Sequence, residues 1–213
     1  MMNKKLNVFL AGHNGLVGNA LNKKLSLNEN YNVITADRSD LDLINQSEVS
    51  NFLQYNNIDL VIIAAAKVGG ILANNTFPAN FIYENTMIQS NLIHGAYVNK
   101  IYNLLFLGSS CIYPKENIFP ISEDALLTGS LEETNEPYAI AKIAGIKMCK
   151  YYNKQYSTSF RSVMPTNLYG EKDNFDEFEG HVIPSLISKF NRAVKQNDTE
   201  IVIWGTGRPL REF

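Results

Sequence analysis

Cysteine is nearly absent: the 213 residues hold two, Cys111 and Cys149, and neither stands in a CxxC or other metal-ligand spacing. That argues against a disulfide-held scaffold and a structural zinc site, and it fits a reducing compartment. No apolar run reaches the length that crosses a bilayer. The start, MMNKKLNV, enters a strand-like segment at once, with no long apolar stretch and no small-residue cleavage site. A soluble cytoplasmic protein is therefore expected. Excess charge is missing too: a formal net charge of -2 leaves no basic footprint for nucleic acid or an anionic membrane. Internal repeats, low-complexity tracts and linkers are also lacking.

What is present is a hydrophobic content of 45%, enough to bury one sizeable core, or one core with a small appendage. LNVFLA at 6–11 is a short apolar run that ends at glycine, and residues 16–25 carry apolar positions at helical spacing. Further apolar runs stand at 33–34, 60–66, 104–107, 161–164 and 201–204. Helical periodicity fills 47–54, 79–98, 139–156 and 181–194. Strands alternating with helices predict an α/β fold, a Rossmann-type doubly wound parallel sheet. The chain stops directly after the 201–204 run and a turn, which reads as a truncation.

Gly12, Gly15 and Gly18 are spaced GxxGxxG between the first strand and its helix, in Gly12-His13-Asn14-Gly15-Leu16-Val17-Gly18. Glycine there permits a tight turn and lets backbone N–H groups approach a pyrophosphate at the helix N-terminus. About 20 residues further on, Asp37 and Arg38 end the second strand. An acid there holds a ribose 2′-hydroxyl, and an arginine suits a 2′-phosphate. The pair argues in opposite directions, and a solvated surface pair is the bland alternative.

Tyr138 and Lys142 stand four apart, on one face of a helix. An ammonium near a phenol favours the phenolate and would draw Tyr138 toward acid/base chemistry near neutrality. Taken alone, this spacing arises by accident in a chain with eleven tyrosines. Gly108-Ser109-Ser110-Cys111-Ile112-Tyr113 follows the 104–107 strand, at the carboxyl end where parallel sheets bind ligands. Ser109 can hydrogen-bond a substrate carbonyl there, or merely cap a turn. In this order, the glycine loop, the strand-end serine and Tyr-x-x-x-Lys resemble the extended short-chain dehydrogenase/reductases.

A narrower resemblance runs the length of the chain. AGHNGLVG, AAAKVGGILANNTFPANFIYEN, LGSSCIYPK, EPYAIAKIAGIKMCKYYNKQY, RSVMPTNLYG, HVIPSLI and WGTGRPLREF are similar to segments of the GDP-L-fucose synthases. Those enzymes epimerise C3 and C5 of GDP-4-keto-6-deoxy-D-mannose and then reduce C4 with NADPH, giving GDP-L-fucose. The resemblance implies that Ser109, Tyr138 and Lys142 carry the reduction, with Lys142 also on the nicotinamide ribose. Cys111 and His181 become the acid/base pair of epimerisation. A C4 ketone acidifies both C3–H and C5–H, and each inversion needs one deprotonation and one protonation.

By the same carry-over the dinucleotide, NADP with NAD as the open alternative, contacts residues 12–18, namely Gly12, His13, Asn14, Gly15, Leu16, Val17 and Gly18. Arg38, Leu107, Gly108, Lys142, Pro165, Thr166, Asn167, Leu168 and His181 complete its site. Lys189, Trp204 and Arg211 match contacts to the GDP-sugar. By residue type alone, Cys111 reads as a buried structural residue and His181 as a helix cap. Trp204 reads as core, and Lys189 as a solvated helix face. His94 and Cys149 read as structural.

Asn14 stands where the resemblance calls for a basic residue against the 2′-phosphate. The expected organisation is a cofactor domain over 1–170, holding Ser109, Tyr138 and Lys142, and the beginning of a substrate-binding region over 171–213. Long helices over 79–98 and 139–156 are the surfaces on which a homodimer is expected. A 4-epimerase or dehydratase would keep Ser109, Tyr138 and Lys142 without needing Cys111 and His181. A non-catalytic dinucleotide-binding protein is the alternative from another class.

Overall fold

The computed structural model describes residues 4–203, 205–208 and 213. Five parallel strands, β1 (Leu6–Ala11), β2 (Tyr31–Ile34), β3 (Leu60–Ile63), β4 (Asn103–Leu107) and β5 (Ser159–Val163), form one sheet in the order β2-β1-β3-β4-β5. The helices are α1 (Leu16–Ser26), α2 (Gln46–Tyr55), α3 (Ile71–Thr76), α4 (Pro78–Val98), α5 (Glu136–Tyr156) and α6 (Val182–Gln196).

Side-chain alternation along β1 divides the core. Val8 and Leu10 face one side, where with Ile62 they pack against Leu21 and Leu25 of α1. Phe9 and Ala11 face the other, joining Val61, Ile63, Leu104, Phe106 and Phe160 beneath α2, α4 and α5. The chain thus crosses one way over α1 and back the other way over α2, α4 and α5. Opposite travel on opposite faces keeps all the crossovers of one hand. The reversal beside β1 opens a crevice between β1 and β3 at their carboxyl ends.

Local sequence sets the helix ends. Asn45 caps α2, its side chain accepting from Ser47 N at 3.0 Å and Glu48 N at 3.3 Å. Prolines stand in the first turns of α4 and α5, where the missing N–H costs nothing. Ser157 closes α5 in the left-handed region at φ 57°.

Two features differ from the sequence expectations. Residues 64–66 leave the sheet and form a loop, and the short helix α3 follows them. Residues 201–203 form no strand: Val202 is 78% exposed, and a strand needs a ladder partner that an apolar run cannot supply for itself. Trp204 and Arg211 lie outside the described residues. Among the described residues, no helix is long and apolar enough to cross a membrane.

Candidate functional site

The glycine loop lies in the β1/β3 crevice and is built almost wholly from backbone contacts. Gly12 has φ 89°, and a Cβ on it would sit 2.5 Å from Ala65 N, so two loops meet with no room for a side chain. A Cβ on Gly18 would sit 2.0 Å from the Gly12 carbonyl oxygen. Gly15 caps α1 with no side-chain hydrogen bond, and a Cβ there would meet nothing nearer than 3.5 Å. The helix end is therefore open above Gly15 and close-packed beneath Gly12 and Gly18. That geometry fits a pyrophosphate on the α1 N-terminus.

Asp37 turns toward this loop. Its Oδ1 accepts from Asn14 Nδ2 at 2.6 Å and stands 3.6 Å from His13 Nε2. Arg38 is exposed. The opposite wall is fixed from behind by Asn85 of α4, which is 2% exposed. Asn85 accepts from Lys67 N at 2.9 Å and donates to Lys67 O at 3.0 Å. Lys67 Nζ in turn pairs with Glu84 at 3.0 Å. Sequence reasoning missed Asn85; its one signal was a polar residue inside a largely apolar helix.

A second group gathers where β4 ends. Lys142, 3% exposed on α5, donates from Nζ to the Leu107 carbonyl at 2.8 Å. The ammonium lies 4.7 Å from the Phe106 ring centre and 5.6 Å from that of Tyr138. Burial pulls its pKa down to about 8, and the nearby Cys111 opposes that drop. Burial also pushes the Cys111 thiol up, partly offset by a hydrogen bond with Ser109 and by the Lys142 charge. Ser109 caps the turn that follows β4, its Oγ accepting from Cys111 N at 3.4 Å. The catalytic and capping readings of Ser109 thus describe one residue.

Tyr138 departs from expectation. Its phenol is held well above the ordinary value, first by burial and then by the Cys111 charge. Lys142 does not draw it toward the phenolate, because the cost of ionising a phenol largely withdrawn from water dominates. What stands there is a protonated acid.

The remaining residues divide. Ser110 N donates to Pro165 O at 3.2 Å and Gly108 N to Val163 O at 2.8 Å, which brings the 163–165 backbone beside the end of β4. Thr166 is partly exposed, and Asn167 and Leu168 are exposed. His181 is exposed at the start of α6 and caps it with no side-chain hydrogen bond. Among the described residues, no hydrogen bond or ion pair joins its imidazole to Cys111, Tyr138 or Lys142. Lys189 is 7% exposed, so it is no solvated face. Cys149 is buried in the core, and His94 Nδ1 meets the Tyr152 hydroxyl at 2.8 Å on the surface.

A switch-point crevice lined by glycine backbone, with a buried lysine and a half-buried tyrosine and cysteine one strand away, defines a doubly wound α/β fold of the nucleotide-binding kind. The chain belongs to the NAD dependent epimerase/dehydratase family, whose profile matches residues 8–213. It is 54% identical over 209 residues to the GDP-L-fucose synthase of Escherichia coli K12, covering 98% of this chain and 65% of that protein. The chain thus spans less than two thirds of that relative's length. Among solved structures, a GDP-L-fucose synthetase from Naegleria fowleri bound to NADP superposes with a TM-score of 0.85 at 29% identity, covering 99% of this chain and 69% of that one. A GDP-mannoheptose C4 reductase from Campylobacter jejuni with NADP bound superposes with a TM-score of 0.82 at 38% identity, covering 93% and 60%.

Proposed function

We propose that the chain carries the cofactor site and catalytic residues of an enzyme that converts GDP-4-keto-6-deoxy-D-mannose to GDP-L-fucose, epimerising C3 and C5 and reducing C4. The observation that carries this reading is the electrostatically linked group of Cys111, Tyr138 and Lys142, with Ser109 on the thiol, at the carboxyl end of β4. A simple reduction has no use for a thiol held at that place.

NADPH, when bound, supplies the hydride that reduces C4. Residues 12–18 would hold its pyrophosphate, Arg38 its 2′-phosphate, and Leu107, Gly108, residues 165–168 and His181 its nicotinamide end. Tyr138, kept protonated by burial, gives its proton to the C4 oxygen as the alkoxide forms, and Ser109 hydrogen-bonds the same oxygen. Lys142 supplies positive charge beside the phenol, and its ammonium, which donates to Leu107 O in the free chain, would hold the nicotinamide ribose. Before reduction, the C4 ketone acidifies C3–H and C5–H. Cys111 and His181 remove a proton from one face and return one to the other at each carbon.

Residues 1–170 form the cofactor domain in this reading, and 171–213 begin the substrate region. Lys189, Trp204 and Arg211 serve the GDP-sugar. The enzyme works in the cytoplasm as a homodimer. The exposed position of His181, unlinked to Cys111, favours one second reading: a C4 reductase that does not epimerise.

Incubation with the keto sugar in deuterated water without cofactor separates the two. Deuterium should enter C3 and C5, and Cys111→Ser should suppress that exchange by at least about 100-fold, the usual size of an acid/base contribution. With NADPH added, GDP-L-fucose should form. Reduction without any exchange identifies the plain reductase, and undiminished exchange in Cys111→Ser removes the thiol from epimerisation.

A further inference from the structure

Among the described residues, no hydrogen bond joins the His181 imidazole to Cys111, Tyr138 or Lys142, so the place of the ring depends on the backbone that carries it. That backbone arrives through a turn at residues 174–180. Asp176 Oδ1 accepts from Phe178 N and from Glu179 N, both at 2.8 Å, and Gly180 N donates to Asp176 O at 3.0 Å. Asp176 lies on the surface, and its two accepted bonds, Glu179 first, hold its carboxyl below the ordinary value. It is therefore ionised at neutral pH, where a charged acceptor makes the stronger bond. A Cβ on Gly180 would run into the carbonyl oxygens of Asn174 and Asp176, so the turn closes directly against the residue before His181.

The turn is tied on two sides. Toward the crevice, Gly70 N donates to Glu179 O at 2.9 Å, and a Cβ on Gly70 would stand 2.9 Å from Gly180 O. The Gly70 corner is held in turn by Asn74, 6% exposed, whose Nδ2 donates to Gly69 O at 2.9 Å and to Gly70 O at 3.1 Å. Toward α6, Ser185 Oγ donates to Glu177 O at 2.9 Å, and Arg192 pairs with Glu177 at 2.8 Å. The Gly70 corner continues the wall that Asn85 props at Lys67, so one stretch of backbone borders the crevice and carries the turn.

We propose that Asp176 is a positioning residue for His181. By fixing the turn on the Gly70 corner it sets where the imidazole enters the site, so epimerisation depends on Asp176 and C4 reduction does not. This rests on reading His181 as an acid/base residue of epimerisation.

Two rates test it: exchange at C3 and C5 of the keto sugar in deuterated water without cofactor, and C4 reduction with NADPH. His181→Asn should abolish exchange. Asp176→Ala should lower kcat for exchange by about tenfold or more with KM for the sugar held, since a small displacement of a reacting group is costly. C4 reduction should persist in that variant, because Ser109, Tyr138 and Lys142 are carried by other elements. Asp176→Asn keeps an oxygen that can accept from the two N–H groups and should restore exchange. Gly70→Ala wedges the corner from the crevice side and should slow exchange as Asp176→Ala does. Exchange at the parent rate in Asp176→Ala or Gly70→Ala, an equal loss of exchange and reduction, or no rescue by Asp176→Asn overturns the proposal and leaves His181 in its role. Exchange at the parent rate in His181→Asn removes that role, and the proposal with it.

Discussion

The β1/β3 crevice and the pocket at the end of β4 sit one strand apart and are made by opposite means. In the crevice side chains are left out, and backbone atoms of the 12–18 loop and of residues 64–65 approach within what would be a Cβ radius. In the pocket polar side chains are driven in, and Lys142 and Tyr138 carry proton affinities displaced by lost hydration. Adding atoms should therefore damage the first region, and removing a charge should strengthen the second.

The largest effect is expected from Gly18→Ala. Its methyl would meet the Gly12 carbonyl oxygen at 2.0 Å and the His13 Cα at 2.9 Å, all backbone that moves only with the loop. A loss of about 4 kcal/mol in denaturant unfolding is expected, together with loss of dinucleotide binding. An unperturbed variant would show that the loop is slack and the crevice not close-packed.

Asn85→Ala comes next, because it joins the two modes: a buried side chain props a backbone wall. Removing it leaves Lys67 N and O without their partner, at about 3 kcal/mol for the pair of unmet groups. Hydrogen exchange should speed at residues 64–67 more than in β4. Uniform acceleration across the sheet would mean that Asn85 serves the core and not the crevice.

The smallest effect has the opposite sign. The buried Lys142 titrates near pH 8 when folded against an ordinary 10.5, so the folded state binds its proton less tightly than the unfolded state. Below about pH 8 both states are protonated and the full penalty, about 3 kcal/mol, is present. It is relieved as pH rises from about 8 to 10.5. Lys142→Met removes the charge and also the hydrogen bond to Leu107, worth about 1 kcal/mol. A net gain of about 2 kcal/mol at pH 7 is expected, with C4 reduction lost. The gain should vanish near pH 10 and turn into a loss approaching about 1 kcal/mol above pH 10.5. A variant less stable than the parent at pH 7, or a gain independent of pH, contradicts a buried and strained ammonium.

Features that depend on neighbours along the chain were legible from the residues alone. The five strands follow from short apolar runs, and α1, α2, α4, α5 and α6 follow from 3.6-residue periodicity, because these patterns are properties of a few consecutive residues. The tight turn at Gly12 and the shared face of Tyr138 and Lys142 are of the same kind. What required the tertiary structure is what depends on distant partners and on water. Residues 201–203 have strand composition but no ladder partner among the described residues. Lys189 has the composition of a surface residue and is buried. Sequence placed Tyr138 beside a cation and so pointed to a phenolate, whereas the pocket excludes the water that would solvate one. Asp37 and Arg38 argue in opposite directions as a pair, and only the structure shows Asp37 accepting from Asn14 of the loop while Arg38 is exposed. Which of two adjacent side chains meets the neighbouring loop is decided by packing across the sheet edge, and no pattern in consecutive residues encodes it.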